Sequence, residues 1–454
     1  MVDGIKSALF IIPEYPPVFG GGISTYYSLL LPALVRCGVK VTAIVGSGCS
    51  AGPNPYTHSG VRVLPLDQQR VEIFRASFDH LALTPDLVRH LAAGWAAWDQ
   101  SHGGKGYDIV ECTDWGLFFV PWLFKQTSPS LLIRLHGSAG QIVLHERHRG
   151  YEQSDSTTQL IEASLIPRAA LRSTYSRNNQ LFWKAQTLQD VQYCPPPYEV
   201  LELGTSCYPR SSRGLVVGRI QIWKGAETLC SALRMLGSSS PVIDWVGRSV
   251  SSTDGVTTYS NQLAAQYPDV WGSKVIPLPQ EPPNAIVKRQ ASAAFVIVPS
   301  DWDVFNLTTV EAMAQGCVVI CSQGAGAADL IHHGKNGFLF EAGNSEQLAN
   351  QIRDVQNLAF HEQAAIGRAA RQAIVDQLHP DQVARCVVKE LEAAMALKNR
   401  IPMSSDLLHH SLSPHQFSPD REGNFLASLD RIDLKSLLRY LSTRMARRLL
   451  GIRH

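Results

Sequence analysis

Pro299-Ser300-Asp301-Trp302-Asp303-Val304-Phe305-Asn306-Leu307-Thr308-Thr309-Val310-Glu311-Ala312-Met313-Ala314-Gln315-Gly316 is the stretch on which the reading of this chain turns. Phe295 to Val298, just ahead of it, is an apolar run of strand length, and Leu307 to Gln315 has helical spacing stopped by Gly316. The segment therefore leaves the carboxyl end of a strand and opens a helix, the place where α/β sheets bind ligands. The first turn of a helix offers unpaired N–H groups at the positive end of its dipole, and both suit a phosphate. Glu311 lies about five residues further on, roughly 7 Å along the axis. A diphosphate at the helix start would set a ribose near that carboxylate, which accepts from vicinal hydroxyls. Asp303 precedes the helix and would reach the sugar side, so the two acidic residues suit opposite ends of a sugar nucleotide.

Outward from this segment, short apolar runs alternate with stretches of helical spacing, the pattern of parallel sheets covered by helices. Leu9 to Ile12, Lys40 to Val45, Val61 to Leu64, Ile109 to Glu111 and Leu131 to Leu135 read as strands, with a helix over 23–36 and another over 157–171. Pro195-Pro196-Pro197 and the polar stretch after it mark a domain boundary. The alternation then restarts with strands at Leu215 to Val217, Val242 to Val246, Lys274 to Ile276 and Val318 to Cys321, and helices at 225–236, 361–376 and 380–398. The expected division is 1–198, 199–379, a crossover helix over 380–400 returning to the first domain, and a tail over 401–454.

At 454 residues the chain exceeds one ordinary core. A net charge of +2 gives no field that would favour nucleic acid. The nine cysteines form no CxxC pair or Cys/His cluster, which points to free thiols in a reducing compartment and to no metal site. The first apolar run ends at Pro13, too short for a signal-peptide core, and no stretch approaches the roughly 20 apolar residues of a membrane span. A cytoplasmic protein is expected.

Several other segments carry chemistry. In Val217-Gly218-Arg219-Ile220-Gln221-Ile222-Trp223-Lys224-Gly225 a strand ends and two cations are presented before the next helix. Solvated surface charge is the usual fate of an Arg or Lys. In this strand–turn–helix setting, Arg219 and Lys224 can instead neutralise a diphosphate leaving group without a metal. Gly20-Gly21-Gly22 follows the first strand and lets the backbone approach a phosphate or sugar, although the Gly-x-Gly-x-x-Gly dinucleotide fingerprint is absent. His136-Gly137 closes a strand, where a histidine is also commonly a hydrogen-bonded structural residue. Asp114-Trp115 is a candidate acceptor-side contact.

With these motifs the chain resembles the retaining glycosyltransferases of the GT-B fold, of the family 4 type (glycosyl transferases group 1), over about residues 7 to 398. The signature is two glutamates separated by seven residues within Pro-Ser…Phe-Gly…Glu-Ala-Met-Ala-x-Gly; here Asp303 stands for the first glutamate and Asn306 for the glycine after Phe305. The Gly218-Arg219…Lys224-Gly225 pair, Gly247-Arg248, the glycine loop and Gly324 to Phe340 also match, with Asp329 in place of a glutamate. The resemblance implies two Rossmann-like domains facing across a cleft, nucleotide in the second and acceptor in the first. It implies donor contacts from Gly21, Gly22, Arg248, Phe305, Asn306, Leu307, Thr308 and Glu311, catalytic roles for His136, Asp303, Arg219 and Lys224, and transfer with retention and no bound cofactor. The acceptor would be a glycan or a lipid-linked glycan of the cell surface. A non-catalytic sugar-nucleotide-binding relative and a GT-B nucleotide-sugar epimerase are the rival readings.

After Arg400 the composition turns to Ser, His and Pro over 401–424, read as a linker. Leu434, Leu437, Leu438, Leu441, Met445 and Leu449 then fall at helical spacing among Lys435, Arg439, Arg444, Arg447, Arg448 and Arg453, with no acidic residue after Asp433. This basic amphipathic helix over 434–453 fits two destinations, docking on the body or contact with the inner membrane face or a partner.

Overall fold

The protein is described here from a computed structural model, in which residues 4–18, 21–46, 52, 54–81, 84–125, 129–146, 153–200, 211–251, 257–401, 407–415 and 433–449 are described. Two sheets organise the chain. The first comprises β1 (Ser7–Ile12), β2 (Lys40–Val45), β3 (Tyr56–His58), β4 (Val61–Pro65), β5 (Ile109–Thr113), β6 (Leu131–Leu135), β7 (Leu171–Thr174) and β8 (Gln192–Tyr193), in the order β3-β4-β2-β1-β5-β6-β7-β8. Every pairing is parallel except β3 with β4. The second comprises β9 (Gly214–Val217), β10 (Ile243–Val246), β11 (Val275–Leu278), β12 (Phe295–Val298), β13 (Val319–Ser322) and β14 (Phe338–Phe340), all parallel, in the order β11-β10-β9-β12-β13-β14.

The central strands are apolar along their length because helices cover both faces of a parallel sheet. β5 and β6 are buried throughout, yet each carries one charged residue, Glu111 and Arg134. In the second sheet the order turns back at β9, which lies between β10 and β12, so the crevice opens at the carboxyl ends of β9 and β12.

The helix Pro380–Met395 follows the second domain and packs on the helix Gly22–Arg36 and on β5, β6 and β7 of the first. Arg36 Nη2 pairs with Asp381 at 2.6 Å, and Tyr198 N–H donates to the Leu378 carbonyl at 2.7 Å, so the two strands of the hinge are tied together.

Two expectations need correction. The helix read over 157–171 occupies Gln153–Leu165: Pro167 sits in a short 3-10 turn at Ile166–Arg168, and Leu171 already begins β7. The segment read as linker includes a helix, Leu407–Leu412, whose Leu412 is buried in the first domain's core while its carbonyl accepts from Trp95 Nε1 at 2.9 Å. Leu408 and Leu412 supply the apolar side that the Ser and His content disguised, while Leu407 is exposed. The helix Leu434–Leu449 forms, with Leu434, Leu438, Leu441 and Met445 exposed; residues 450–453 of the expected helix and most of the linker lie outside the described residues. No helix among the described residues is long and apolar enough to cross a membrane.

Candidate functional site

The turn between β12 and the helix Leu307–Ala314 is held open by its backbone. Asp303 N–H donates to the Gly324 carbonyl at 2.9 Å and the Asp303 carbonyl accepts from Gly326 N–H at 3.0 Å, which staples the turn to the loop after β13. Asn306 then adopts φ 77° and ψ 88° in the left-handed region. That explains the residue type: a position that otherwise calls for glycine takes Asn because its short amide bonds locally. Its Oδ1 accepts from Thr309 N–H at 3.2 Å, capping the helix, and its Nδ2 donates to Asp303 Oδ2 at 2.9 Å. The cap uses one of the free N–H groups of the first turn. Thr308 Oγ1 donates to the Val217 carbonyl at 3.4 Å and ties the helix start to the end of β9.

Lys224 reaches this turn from the loop after β9. Its ammonium pairs with Asp303 Oδ2, both side chains being mostly buried, and lies 4.4 Å from the centre of the Trp223 ring. Gly225 makes the approach possible: at φ 74° its Cα faces Pro299, where a Cβ would stand 1.8 Å from the carbonyl oxygen. Val217, Gly218, Lys224, Pro299, Ser300 and Asn306 thereby line one small pocket at the carboxyl ends of β9 and β12. Arg219 and Arg248 leave neighbouring loops, joined where Ile220 N–H donates to the Arg248 carbonyl at 3.0 Å, and both are exposed. Glu311 is half-buried further along the helix, receiving Gln290 Nε2 at 3.4 Å, and burial pushes its carboxyl up to about 7.

The first domain closes over this pocket. Gly22 lies against Leu307, a Cβ on it being 3.7 Å from Leu307 Cδ1; Gly21 is exposed and in extended backbone, and Gly20 lies outside the described residues. The Tyr175 ring meets Phe305 edge-on at 5.5 Å. The His145 ring, at the end of the helix Ala139–His145, stacks on Trp302 at 4.1 Å and 8°, and Gln221 Nε2 donates to Glu146 Oε1 at 3.0 Å.

His136 sits behind that contact, 8 % exposed. Its ring nitrogens face Tyr175 and Tyr27 hydroxyls at 3.0 and 3.2 Å, and burial together with the Arg134 charge holds its pKa well below the usual range. Asp114 is fully buried: its carboxylate accepts from His136 N–H at 2.9 Å and Gly137 N–H at 3.1 Å, so it fixes the turn after β6 and offers no surface to an acceptor in this structure. Burial dominates its pKa, raised to about 7 against those bonds. Trp115 is half-buried beside it.

Sequence reasoning did not find Trp302, His145, Tyr27, Tyr175 or the Glu111–Arg134 pair as part of the site. Only the last had a legible signal, an acid and a base of opposite sign inside two neighbouring apolar strands. The Lys224 ammonium and the helix start give the pocket an electropositive side suited to an anion, with Asp303 paired to that ammonium and Asn306 at the helix cap as hydrogen-bonding groups beside it. Among the described residues no three His, Cys, Asp or Glu side chains gather as metal ligands.

Comparison with known proteins agrees with this architecture domain by domain. Residues 212–373 match the family described as glycosyl transferases group 1, and residues 21–178 match the glycosyl transferase 4-like domain. An uncharacterized glycosyltransferase of Methanocaldococcus jannaschii is 26% identical over 85% of this chain and 98% of its own length. A D-inositol 3-phosphate glycosyltransferase of an Arthrobacter species is 24% identical over 78% of this chain and 85% of its own. Among solved structures, a sucrose-phosphate synthase from Thermosynechococcus elongatus superposes with a TM-score of 0.66 at 19% identity, covering 86% of this chain and 100% of that one. HepE of Anabaena, solved with UDP-glucose, gives 0.59 at 18% identity, covering 85% and 99%. With both halves matched and the two sheets facing across one crevice, the chain belongs to the family 4 type glycosyltransferases of the GT-B fold.

Proposed function

We propose that the protein transfers a glycosyl group, with retention of anomeric configuration and without a resident metal, from a nucleoside diphosphate sugar to a glycan or lipid-linked acceptor. One observation carries the reading: Lys224, Asp303 and Asn306 converge where the helix Leu307–Ala314 begins. In this structure Asp303 holds the ammonium in place. With donor bound, the diphosphate replaces that carboxylate at Lys224, and Asp303 is freed to accept a sugar hydroxyl. The bond from the anomeric carbon to the β-phosphate oxygen breaks as the acceptor oxygen attacks on the same face, and the acceptor proton passes to the departing phosphate. Lys224, Arg219 and the helix start meet the charge that develops there, and a preorganised cation of this kind lowers the barrier by a few kcal/mol. Uridine diphosphate sugars head the donors to test, because the HepE structure holds one.

The exposed leucine and methionine face of the basic helix Leu434–Leu449 supports a second element of the reading, an acceptor met at an anionic membrane surface. Truncation after residue 415 removes that helix and keeps the docked Leu407–Leu412; it is expected to abolish sedimentation with anionic vesicles while leaving soluble-donor hydrolysis intact. Unchanged vesicle binding would rule the membrane role out.

The deciding experiment is a thermal-shift and isotope-release panel against UDP-, GDP- and ADP-sugars with metals chelated. Stabilisation and slow hydrolysis by one donor, both lost in Lys224→Ala and Arg219→Ala, is the expected result. Turnover that requires an added divalent ion would overturn metal independence, and an inverted product anomer would overturn retention.

A further inference from the structure

A chain of sealed polar groups runs from the crossover helix to the candidate site. Arg134, fully buried on β6, donates to Glu111 from Nη2 at 2.9 Å and from Nε at 3.2 Å. Its Nη1 donates to Glu390 Oε2 at 2.8 Å and to Ser173 Oγ at 2.8 Å, and Ser173 Oγ–H donates to Glu390 Oε1 at 2.6 Å. Glu390 comes in on the helix Pro380–Met395. On the other side Tyr27 Oη–H donates to Glu111 Oε1 at 2.9 Å, and the same hydroxyl lies 3.2 Å from His136 Nε2.

Proton counting fixes the histidine. A tyrosine hydroxyl has one proton, and a carboxylate bound twice by a guanidinium can only accept. Tyr27 therefore turns a lone pair toward His136, and Nε2 must carry the ring hydrogen. The Tyr175 hydroxyl proton has two acceptors in reach, His136 Nδ1 at 3.0 Å and the His136 carbonyl at 3.4 Å. The nearer one leaves Nδ1 unprotonated. A second ring proton would add positive charge in a buried setting, beside the Arg134 guanidinium. The charged and titratable groups around the ring are Tyr26 and Tyr27 from the helix Gly22–Arg36, Glu111 and Asp114 at β5, Arg134 on β6, Tyr175 after β7 and Glu390 on the crossover helix.

We propose that Tyr27 is a positioning residue for glycosyl transfer: backed by the Glu111–Arg134–Glu390 triad, it holds His136 in the Nε2–H tautomer with both ring nitrogens engaged. The histidine then serves the cleft through the position of its backbone and ring face, and a replacement that disturbs the triad reaches the site through Tyr27. Its kinetic consequence rests on the transferase reading above; the tautomer does not.

The test is nitrogen NMR of the full-length chain with labelled histidine, His136 being assigned by the signal missing in His136→Asn. The expected spectrum shows a protonated Nε2 and an unprotonated Nδ1 that do not titrate between about pH 5.5 and 8. An Nδ1–H tautomer, or an imidazolium titrating in that range, would overturn the proposal with no variant needed. Tyr27→Phe is expected to mix the two tautomers and to lower kcat about tenfold, with the donor KM changed less than about twofold, the loss of one orienting hydrogen bond. Glu390→Gln, which leaves Tyr27 in place, is expected to shift the same ring signals. A folded Tyr27→Phe chain with wild-type ring signals and kcat would sink the idea. A chain inactive with every donor would sink the transferase reading, while the spectra would still decide the tautomer.

Discussion

Placed at the ribose, as the resemblance implies, Glu311 would couple the chemistry of the site to the stability of the fold. Burial raises its carboxyl from an ordinary 4.5 to about 7, so the fold favours the protonated form. A folded-state pKa above the unfolded one contributes stability that is full below about 4.5 and is lost as the pH rises through 7. At about 1.4 kcal/mol per pH unit, and discounted because the carboxyl keeps some access to solvent, the loss between pH 5 and 8 is about 1–2 kcal/mol. Glu311→Gln is expected to flatten that loss by the same amount, read as the difference in denaturant midpoint between the two pH values. Donor affinity should run the other way. An ionised Glu311 accepts from ribose hydroxyls better than a neutral one, so the wild-type Kd is expected to fall from pH 6 to 8 and the Gln variant's Kd to stay flat. Equal pH slopes for both proteins would remove Glu311 from the nucleotide site. Asp114 and Glu162, raised by burial to about 7 and about 8, keep the same contribution in both proteins and cancel from the comparison.

At the scale of elements, what could be read from the sequence follows from how each segment is buried. The core strands of both sheets were legible because they are continuous apolar runs, and the helix after Phe305 because Gly316 stops it. β3, β7, β8 and β14 were not. β3 and β8 lie at the edges of their sheet, two or three residues long and only partly buried, and β7 carries Arg172, Ser173 and Thr174 inward, each with a partner that no single-sequence pattern reveals. The candidate site divides the same way. Lys224, Asp303, Asn306 and Glu311 could be named because they sit at fixed offsets around one strand–helix turn, whereas Trp302 and His145 meet only after two distant segments fold together. Gly225 is the element-scale hinge of that turn. Gly225→Ala must accommodate a Cβ 1.8 Å from the Pro299 carbonyl and a positive φ as well, and is expected to cost about 3 kcal/mol or more. Gly334→Ala has φ 75°, close to that of Gly225, with nothing within 4 Å of its Cβ, and should cost only about 1–2 kcal/mol. Thermal denaturation of the two variants side by side checks the argument, which fails if they are equally stable.

At the scale of the molecule, the two domains are closed on each other by a small set of polar and aromatic contacts. His145 stacks on Trp302, Gln221 reaches Glu146, Arg177 N–H donates to Asp329 Oδ2 at 2.8 Å, and Asn178 Nδ2 donates to the Gln323 carbonyl at 2.8 Å. Tyr175 on Phe305 and Gly22 against Leu307 add apolar contact beside the pocket, and an interface that mixes such contacts with more exposed polar ones permits relative motion between domains. The crossover helix, with Glu390 sealed in the first domain and Asp381 paired to Arg36, is by contrast a fixed attachment, so closure reads as motion about the hinge near Tyr198 and Leu378. His145 can be changed without touching the donor pocket. Its stack with Trp302 contributes about 0.5–1.5 kcal/mol, which alters the closed-to-open ratio by roughly 2- to 10-fold. His145→Ala is therefore expected to enlarge the radius of gyration of the unliganded protein in small-angle scattering. The donor Kd should weaken by no more than about that factor, because a donor that binds the closed form must first supply the missing closure energy. Saturating donor should return the scattering curve to that of the wild type, since the lost contact changes how often the domains meet and leaves the pocket itself intact. A variant that scatters like the wild type without donor, yet binds donor more weakly, would place His145 in the donor site and away from domain closure.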